Sequence, residues 1–373
     1  MVGQKGTIRT ARWDIYPHCN LNCIHCCAEG LFNYLNSDYL EAESAINLLD
    51  KLWRDGITHL NMLGKEPFLH PHIYTILQYA CKRGFQVDIT TNGTTIKDSD
   101  TSLLVNLGLR SIYFSIDGSS PQVNDVIRGE GVFQKALDTM QTLLKEKERE
   151  KSSLMVNVNT VLTKMNASDI NNIVDLCIAN GVSLFKLSHL LDLGNASHNK
   201  MSLYLEPREE FQVAEEVMKN IPRHTELAFD ILSDRPMFLE YFYKKYEAVL
   251  PVRMSGCKAC SKEIYIDPIG GISPCLASSA GFSDFSSGYY EHYTTSIFDL
   301  KDKPIYELPF FEGFKSAFSL TKDTYSSYVP CNSCPYLTTI CYPCPLDSSK
   351  GGHLEELCLI AEEELDKLTP EER

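Results

Sequence analysis

Four cysteines fall within nine positions near the start of the chain, in Cys19-Asn20-Leu21-Asn22-Cys23-Ile24-His25-Cys26-Cys27. Thiols at that density point to metal ligation or redox chemistry. A structural zinc site takes four nitrogen or sulfur donors in a tetrahedron. Cys27 is a poor fourth donor, because it adjoins Cys26 and neighbouring side chains rarely turn toward one metal. The loop therefore offers three spaced thiolates, Cys19, Cys23 and Cys26. Three thiolates hold three irons of a 4Fe–4S cube and leave the fourth iron open to a substrate or cofactor. A cluster with four cysteine ligands mainly carries electrons.

A second constellation occupies the back third. It runs Cys257-x2-Cys260-x9-Gly270-x4-Cys275, then Cys331-x2-Cys334-x6-Cys341-x2-Cys344, and lastly Cys358. Eight cysteines suit two clusters of four thiolates each, and Cys-x2-Cys pairs also suit zinc. A zinc-binding structural protein is therefore the alternative from another class. Cys81 and Cys177 lie in helical patterns and read as core thiols. With 14 cysteines and no signal peptide in "MVGQKGTIRTARW", a reducing cytoplasm and metal chemistry are expected rather than disulfides.

These residues need elements to hold them. Short β-branched runs at 7–16, 59–63, 86–91, 111–117, 154–162 and 183–190 alternate with helical runs at 38–55, 71–83, 101–107, 133–150 and 168–180. Strands alternating with helices predict a parallel α/β architecture, here an open, partial barrel of six β/α units. In such folds the chemistry gathers at the C-terminal ends of the strands. The turns expected there are the cysteine loop, "LGKEP" (63–67), "TNGTT" (91–95) and "SIDGSS" (115–120), with "NVNT" (157–160) on the fifth strand. Residues 196–250 read as a helical bridge, "EIYIDPIGGISPC" (263–275) as a β-hairpin, and the tail from Leu354 as an acidic helix with a solvated face. The predicted organisation is 1–195, a partial barrel; 196–250, a bridge; and 251–373, a small Cys-rich domain.

Together these motifs resemble the radical S-adenosylmethionine (radical SAM) enzymes. The back third is similar to the SPASM extension, whose pattern it follows with one cysteine displaced by a residue. The resemblance runs from about residue 10 to about 360. It implies a partial (β/α)6 TIM-like barrel followed by a SPASM domain. It also implies three 4Fe–4S clusters, one binding SAM at Cys19, Cys23 and Cys26. Of the two auxiliary clusters, one would sit on Cys257, Cys260, Cys275 and Cys344, the other on Cys331, Cys334, Cys341 and Cys358. The segment Gly64-Lys65-Glu66-Pro67 resembles the family's Gly-Gly-Glu-Pro turn, which contacts the SAM amine, with Lys65 standing at the second glycine. Asn92 follows the third strand. Ser115 and Asp117 match the motif near the ribose, Arg128 resembles the arginine on the SAM carboxylate, and Asn159 is a further candidate. His25 occupies a position at which a ring packs near the adenine.

The resemblance also implies a reaction. SAM is cleaved reductively, and the 5′-deoxyadenosyl radical abstracts a hydrogen from the substrate. The substrate expected is a ribosomally made peptide, undergoing crosslinking, epimerisation or oxidation. The alternative is an oxidoreductase or epimerase acting on a carbohydrate or other small molecule. Leu276 stands where sulfatase-maturing relatives carry an aspartate base, which argues against that activity. Only 18 residues precede Cys19, so no leader-binding domain is expected ahead of the barrel. A flavodoxin or ferredoxin would supply the electron. A net charge of −14 argues against nucleic acid or an anionic membrane as partner, and no apolar run is long enough to span a bilayer.

Overall fold

The computed structural model describes residues 8–29, 38–220, 227–231, 236–246, 258–276, 295–296, 300, 303–308, 331–335, 341 and 353–369. Its strands form one ten-stranded sheet in the order β10-β9-β8-β1-β2-β3-β4-β5-β6-β7. The strands are β1 (Thr10–Asp14), β2 (His59–Leu63), β3 (Gln86–Thr91), β4 (Ser111–Ser115), β5 (Met155–Val161), β6 (Leu184–Ser188), β7 (Ala228–Ile231), β8 (Glu263–Ile266), β9 (Gly271–Ser273) and β10 (Thr295–Ser296). Strands β1 to β7 pair in parallel, each with the next. On the other side of β1, β8 pairs in parallel, and β9 and β10 follow antiparallel.

The helices are α1 (Ala42–Arg54), α2 (Ile73–Arg83), α3 (Asp98–Asn106), α4 (Pro121–Arg128), α5 (Val132–Glu150), α6 (Ile170–Ala179), α7 (Gly194–His198), α8 (Lys200–Leu203), α9 (Pro207–Asn220), α10 (Pro236–Tyr246) and α11 (His353–Asp366). In α1, Ala45, Leu48, Leu49 and Leu52 are all buried, the spacing of one apolar stripe against a sheet. The strand residues that meet the helices are apolar and fully buried, among them Trp13, Met62, Ile89, Phe114 and Val158. The side chains between them point the other way. Asp14, Ser115, Asn159, Lys186, Asp230 and Tyr265 all stand on this polar inner face. Ser115, Asn159, Lys186 and Asp230 are successive partners across β4 to β7 and form a single cross-strand row.

The predicted six-unit run is present, and its strands and helices fall where the periodicity put them to within a few residues. The sheet extends beyond it at both edges. The 196–250 segment is not helical throughout, because β7 lies inside it and pairs with β6. The 263–275 hairpin is β8 and β9, and it joins the same sheet through β1. The tail helix α11 is not simply solvated: Leu357, Ile360 and Ala361 are buried, and it packs on α9 and α10. Among the described residues no helix is long and apolar enough to cross a membrane.

Candidate functional site

The cysteine loop leaves β1 at the C-terminal edge of the sheet and is held by backbone bonds from two directions. On one side, Ile24 N donates to Ile127 O of α4 at 3.0 Å. On the other, Asn195 of α7 donates from its backbone N to Cys26 O at 2.9 Å, and from Nδ2 to Cys23 O at 3.0 Å. Asn199 Nδ2 donates to Ile24 O at 3.0 Å. Gly194 opens α7 at φ +54°, and a Cβ there would lie 2.6 Å from Cys26 O. Only glycine allows this close approach.

The three spaced thiols share one environment. Cys26 acts electrostatically on Cys19 and Cys23, Cys19 acts on Cys23, and burial pushes all three up, Cys23 to about 11. Donors already face the sulfurs: Leu21 N at 3.4 Å and Asn92 Nδ2 at 3.7 Å from Cys19 Sγ. The backbone amides of Ala28 and Glu29 reach Cys26. Among the described residues no three His, Cys, Asp or Glu side chains close on a single-ion position. Three thiols with amide donors beside Cys19 and Cys26 are a donor set that suits an iron–sulfur cluster, whose sulfurs take such hydrogen bonds. Coordination would hold as thiolates the groups that burial otherwise keeps protonated. Burial pushes the Cys27 thiol up to about 12, and Arg12 and Asp14 lie near it.

The turn after β2 lies beside this loop. Gly64 has φ +112°, and a Cβ there would sit 3.0 Å from Asp14 Cα. Lys65 Nζ reaches Glu29 Oε2 at 2.8 Å. Glu66 is fully buried. Its carboxylate accepts from Phe68 N at 3.0 Å, Thr91 Oγ1 at 2.8 Å and Asn92 N at 2.8 Å. Burial outweighs these donors and pushes the carboxyl up to about 7. Asn92 in turn donates to Asn20 Oδ1 at 2.9 Å, so the turn after β3 is bonded to both the cysteine loop and the Glu66 turn.

Asp117, after β4, holds a buried triad. Its carboxylate lies 2.6 Å from Arg128 Nε and 3.0 Å from His25 Nε2, and accepts from Val161 N at 2.8 Å. Burial alone would raise its carboxyl, but the Arg128 guanidinium and His25 hold it down to about 2. The Asp117 side chain is fully buried and engages Arg128, His25 and Val161. The Nε2 edge of His25 is likewise turned to Asp117, and the Nε of Arg128 is paired there. Ser115 lies beside Asn159 in the inner row, and Ser188 Oγ donates to Asn159 Oδ1 at 2.8 Å.

At the far edge, Tyr265 of β8 donates to Asp14 Oδ2 at 2.7 Å. Cys260 is buried, and Cys275 is close enough to raise its thiol further. Cys334 N donates to Cys331 O at 3.2 Å in a tight turn. Cys341 is buried and Cys358 lies on α11. Cys257 and Cys344 lie outside the described residues, so the two expected sets of four are seen in part. None of the described cysteines is in a disulfide. Sequence reasoning did not identify Asn195, Asn199, Glu29 or Asn124, whose Oδ1 accepts from Asp117 N at 2.9 Å, as site-building residues; isolated asparagines and an exposed-looking glutamate carry no signal before the turns are placed.

Residues 13–177 match the radical SAM superfamily. The chain is 24% identical over 371 residues to the AdoMet-dependent heme synthase of Methanosarcina barkeri, a match covering 95% of this chain and 97% of that protein. It is 26% identical over 172 residues to the mycofactocin maturase MftC of Mycobacterium tuberculosis, covering 46% of this chain and 42% of that one. The fold is that of Streptococcus suis SuiB bound to S-adenosylmethionine, with a TM-score of 0.70 at 19% identity, over 94% of this chain and 76% of that one.

Proposed function

From the match of residues 13–177 to the radical SAM superfamily we propose that the chain is a radical SAM enzyme that modifies a ribosomally made peptide. Three spaced thiols in a braced loop at the mouth of the sheet, beside a buried glutamate, carry this reading. Cys19, Cys23 and Cys26 would hold a 4Fe–4S cluster. When bound, that cluster and SAM supply a 5′-deoxyadenosyl radical, which removes a hydrogen atom from the substrate. The protein's own groups position the partners. Leu21 N, Asn92 and the Ala28 and Glu29 amides would steady the thiolates, and Glu66 would receive the SAM amino group. Ser115 and Asn159 stand on the inner face, where a substrate would lie. The third of the chain after 251 would carry two auxiliary clusters, on Cys257, Cys260, Cys275 and Cys344 and on Cys331, Cys334, Cys341 and Cys358. A low-potential flavodoxin or ferredoxin would deliver the electron, in a reducing cytoplasm that suits this cysteine content.

The peptide reading is supported by the maturase relatives, including the subtilosin biosynthesis protein AlbA of Bacillus subtilis at 24% identity over 73% of this chain. A second reading, a small-molecule substrate, is favoured by the heme synthase match, which runs the length of both chains. Anaerobic reconstitution followed by SAM and dithionite tests the shared chemistry: 5′-deoxyadenosine should form, and Cys23→Ala should abolish it. A colourless protein carrying zinc and no sulfide would overturn the reading. Deuterium transfer from labelled candidate peptides or porphyrins into 5′-deoxyadenosine separates the two substrate classes.

A further inference from the structure

Lys65 stands where the motif it resembles carries a glycine, so its side chain is a feature of this chain. The side chain is only 10% exposed, although lysine is rarely buried without a partner. Its Nζ reaches Glu29 Oε2 at 2.8 Å, while the Glu29 side chain is 38% exposed. Glu29 is three residues past Cys26, and its own amide and that of Ala28 face the Cys26 sulfur. The pair therefore ties the exit of the cysteine loop to the turn after β2. Both charges therefore stand at the Cys26 end of the loop. The two charges are not equally effective. Glu29 is half in solvent and screened, whereas Lys65 is shielded from water.

We propose that Lys65 is a positioning residue that raises the reduction potential of the cluster on Cys19, Cys23 and Cys26, by fixing a buried positive charge beside Cys26. The inference rests on the assignment of that cluster in the proposed function. Reduction adds one electron, taken from a low-potential one-electron donor, and moves no proton. The added negative charge is stabilised by a nearby cation and opposed by a nearby anion. Lys65 thus eases electron entry, and Glu29 trims its effect while holding its ammonium in place.

The test is an anaerobic redox titration of the full, reconstituted chain, followed by electron paramagnetic resonance. The signal to follow is the one that changes on adding SAM, because only a cluster with an open iron responds. Lys65→Met should lower its midpoint potential, Glu29→Gln should raise it, and the double variant should fall between. Lys65→Arg should keep the wild-type value. Two single variants shifting in the same direction, or neither shifting, would overturn the proposal in favour of a purely structural staple. If Lys65→Met does not retain the cluster, the direction of the Glu29→Gln shift decides. A wild-type protein with no SAM-responsive signal overturns the cluster assignment itself, and with it this inference.

Discussion

Asp117 and Glu66 are both buried carboxylates at the mouth of the sheet, and their surroundings drive them apart. Asp117 meets a guanidinium and an imidazole and is held down to about 2, whereas Glu66 meets only neutral donors and is pushed up to about 7. Asp117→Asn would leave the Arg128 charge buried without its counterion, a change that costs roughly 3–5 kcal/mol. Urea unfolding should show a loss of that order. Glu66 behaves oppositely with pH. Between its ordinary value of 4.5 and about 7 the folded chain binds more protons than the unfolded one. Its contribution to stability therefore falls as pH rises through that window, and the full penalty stands above about 7. A cationic amino group beside it would restore the carboxylate. Affinity for SAM, measured by calorimetry on the reconstituted protein, should therefore rise from pH 4.5 to about 7 and then level off. In Glu66→Gln that slope should vanish.

At the scale of elements, the cysteine loop depends on α7 as much as on its own sequence. Gly194→Ala places a methyl 2.6 Å from Cys26 O at a positive φ, and Asn195→Ala removes a side-chain bond to Cys23 O. Both should lower the iron and sulfide retained after gel filtration, the glycine variant more severely. Nothing in "GNASHN" announces this role, because its bonds go to a loop far away in sequence. The six-unit run was legible for the opposite reason: each of its strands and long helices carries a local apolar period. The short helix α4 has a helical period, Val123, Val126 and Ile127, but its buried face is mixed. Its buried residues are Asn124, Ile127 and Arg128, and two of the three are polar, facing Asp117 rather than an apolar core. Strand β7 is four residues long between helices, too brief for an alternation to stand out. The spaced cysteines and Glu66 were legible from type and spacing. The pairing of Asp117 with Arg128 and His25 was not, because a buried ion pair between distant segments has no sequence period.

At the scale of the molecule, the sheet is one body from β10 to β7, and its central strand β1 is flanked by β2 and by a strand from the last third of the chain. A chain ending at 250 would lack β8. It would leave the edge of β1 unpaired, a ready template for association, and Asp14 without its Tyr265 donor. Such a chain should elute as aggregate in gel filtration, where the full chain elutes as a discrete species. Tyr265→Phe in the full chain should lose the bond to Asp14 and lower the melting temperature by a few degrees.

The pairing of β8 with β1 also sets a schedule. Asp14 and Tyr265 are 251 residues apart in the chain, which corresponds to roughly 10–50 s of synthesis at ordinary ribosomal rates. Throughout that interval β1 and the cysteine loop that follows it have emerged while one flank of the strand waits for its partner. The loop proposed to hold the cluster is therefore exposed before the sheet can be completed. Oxidants or slow iron supply during that window would bear most heavily on newly made chains, and mature enzyme would be spared.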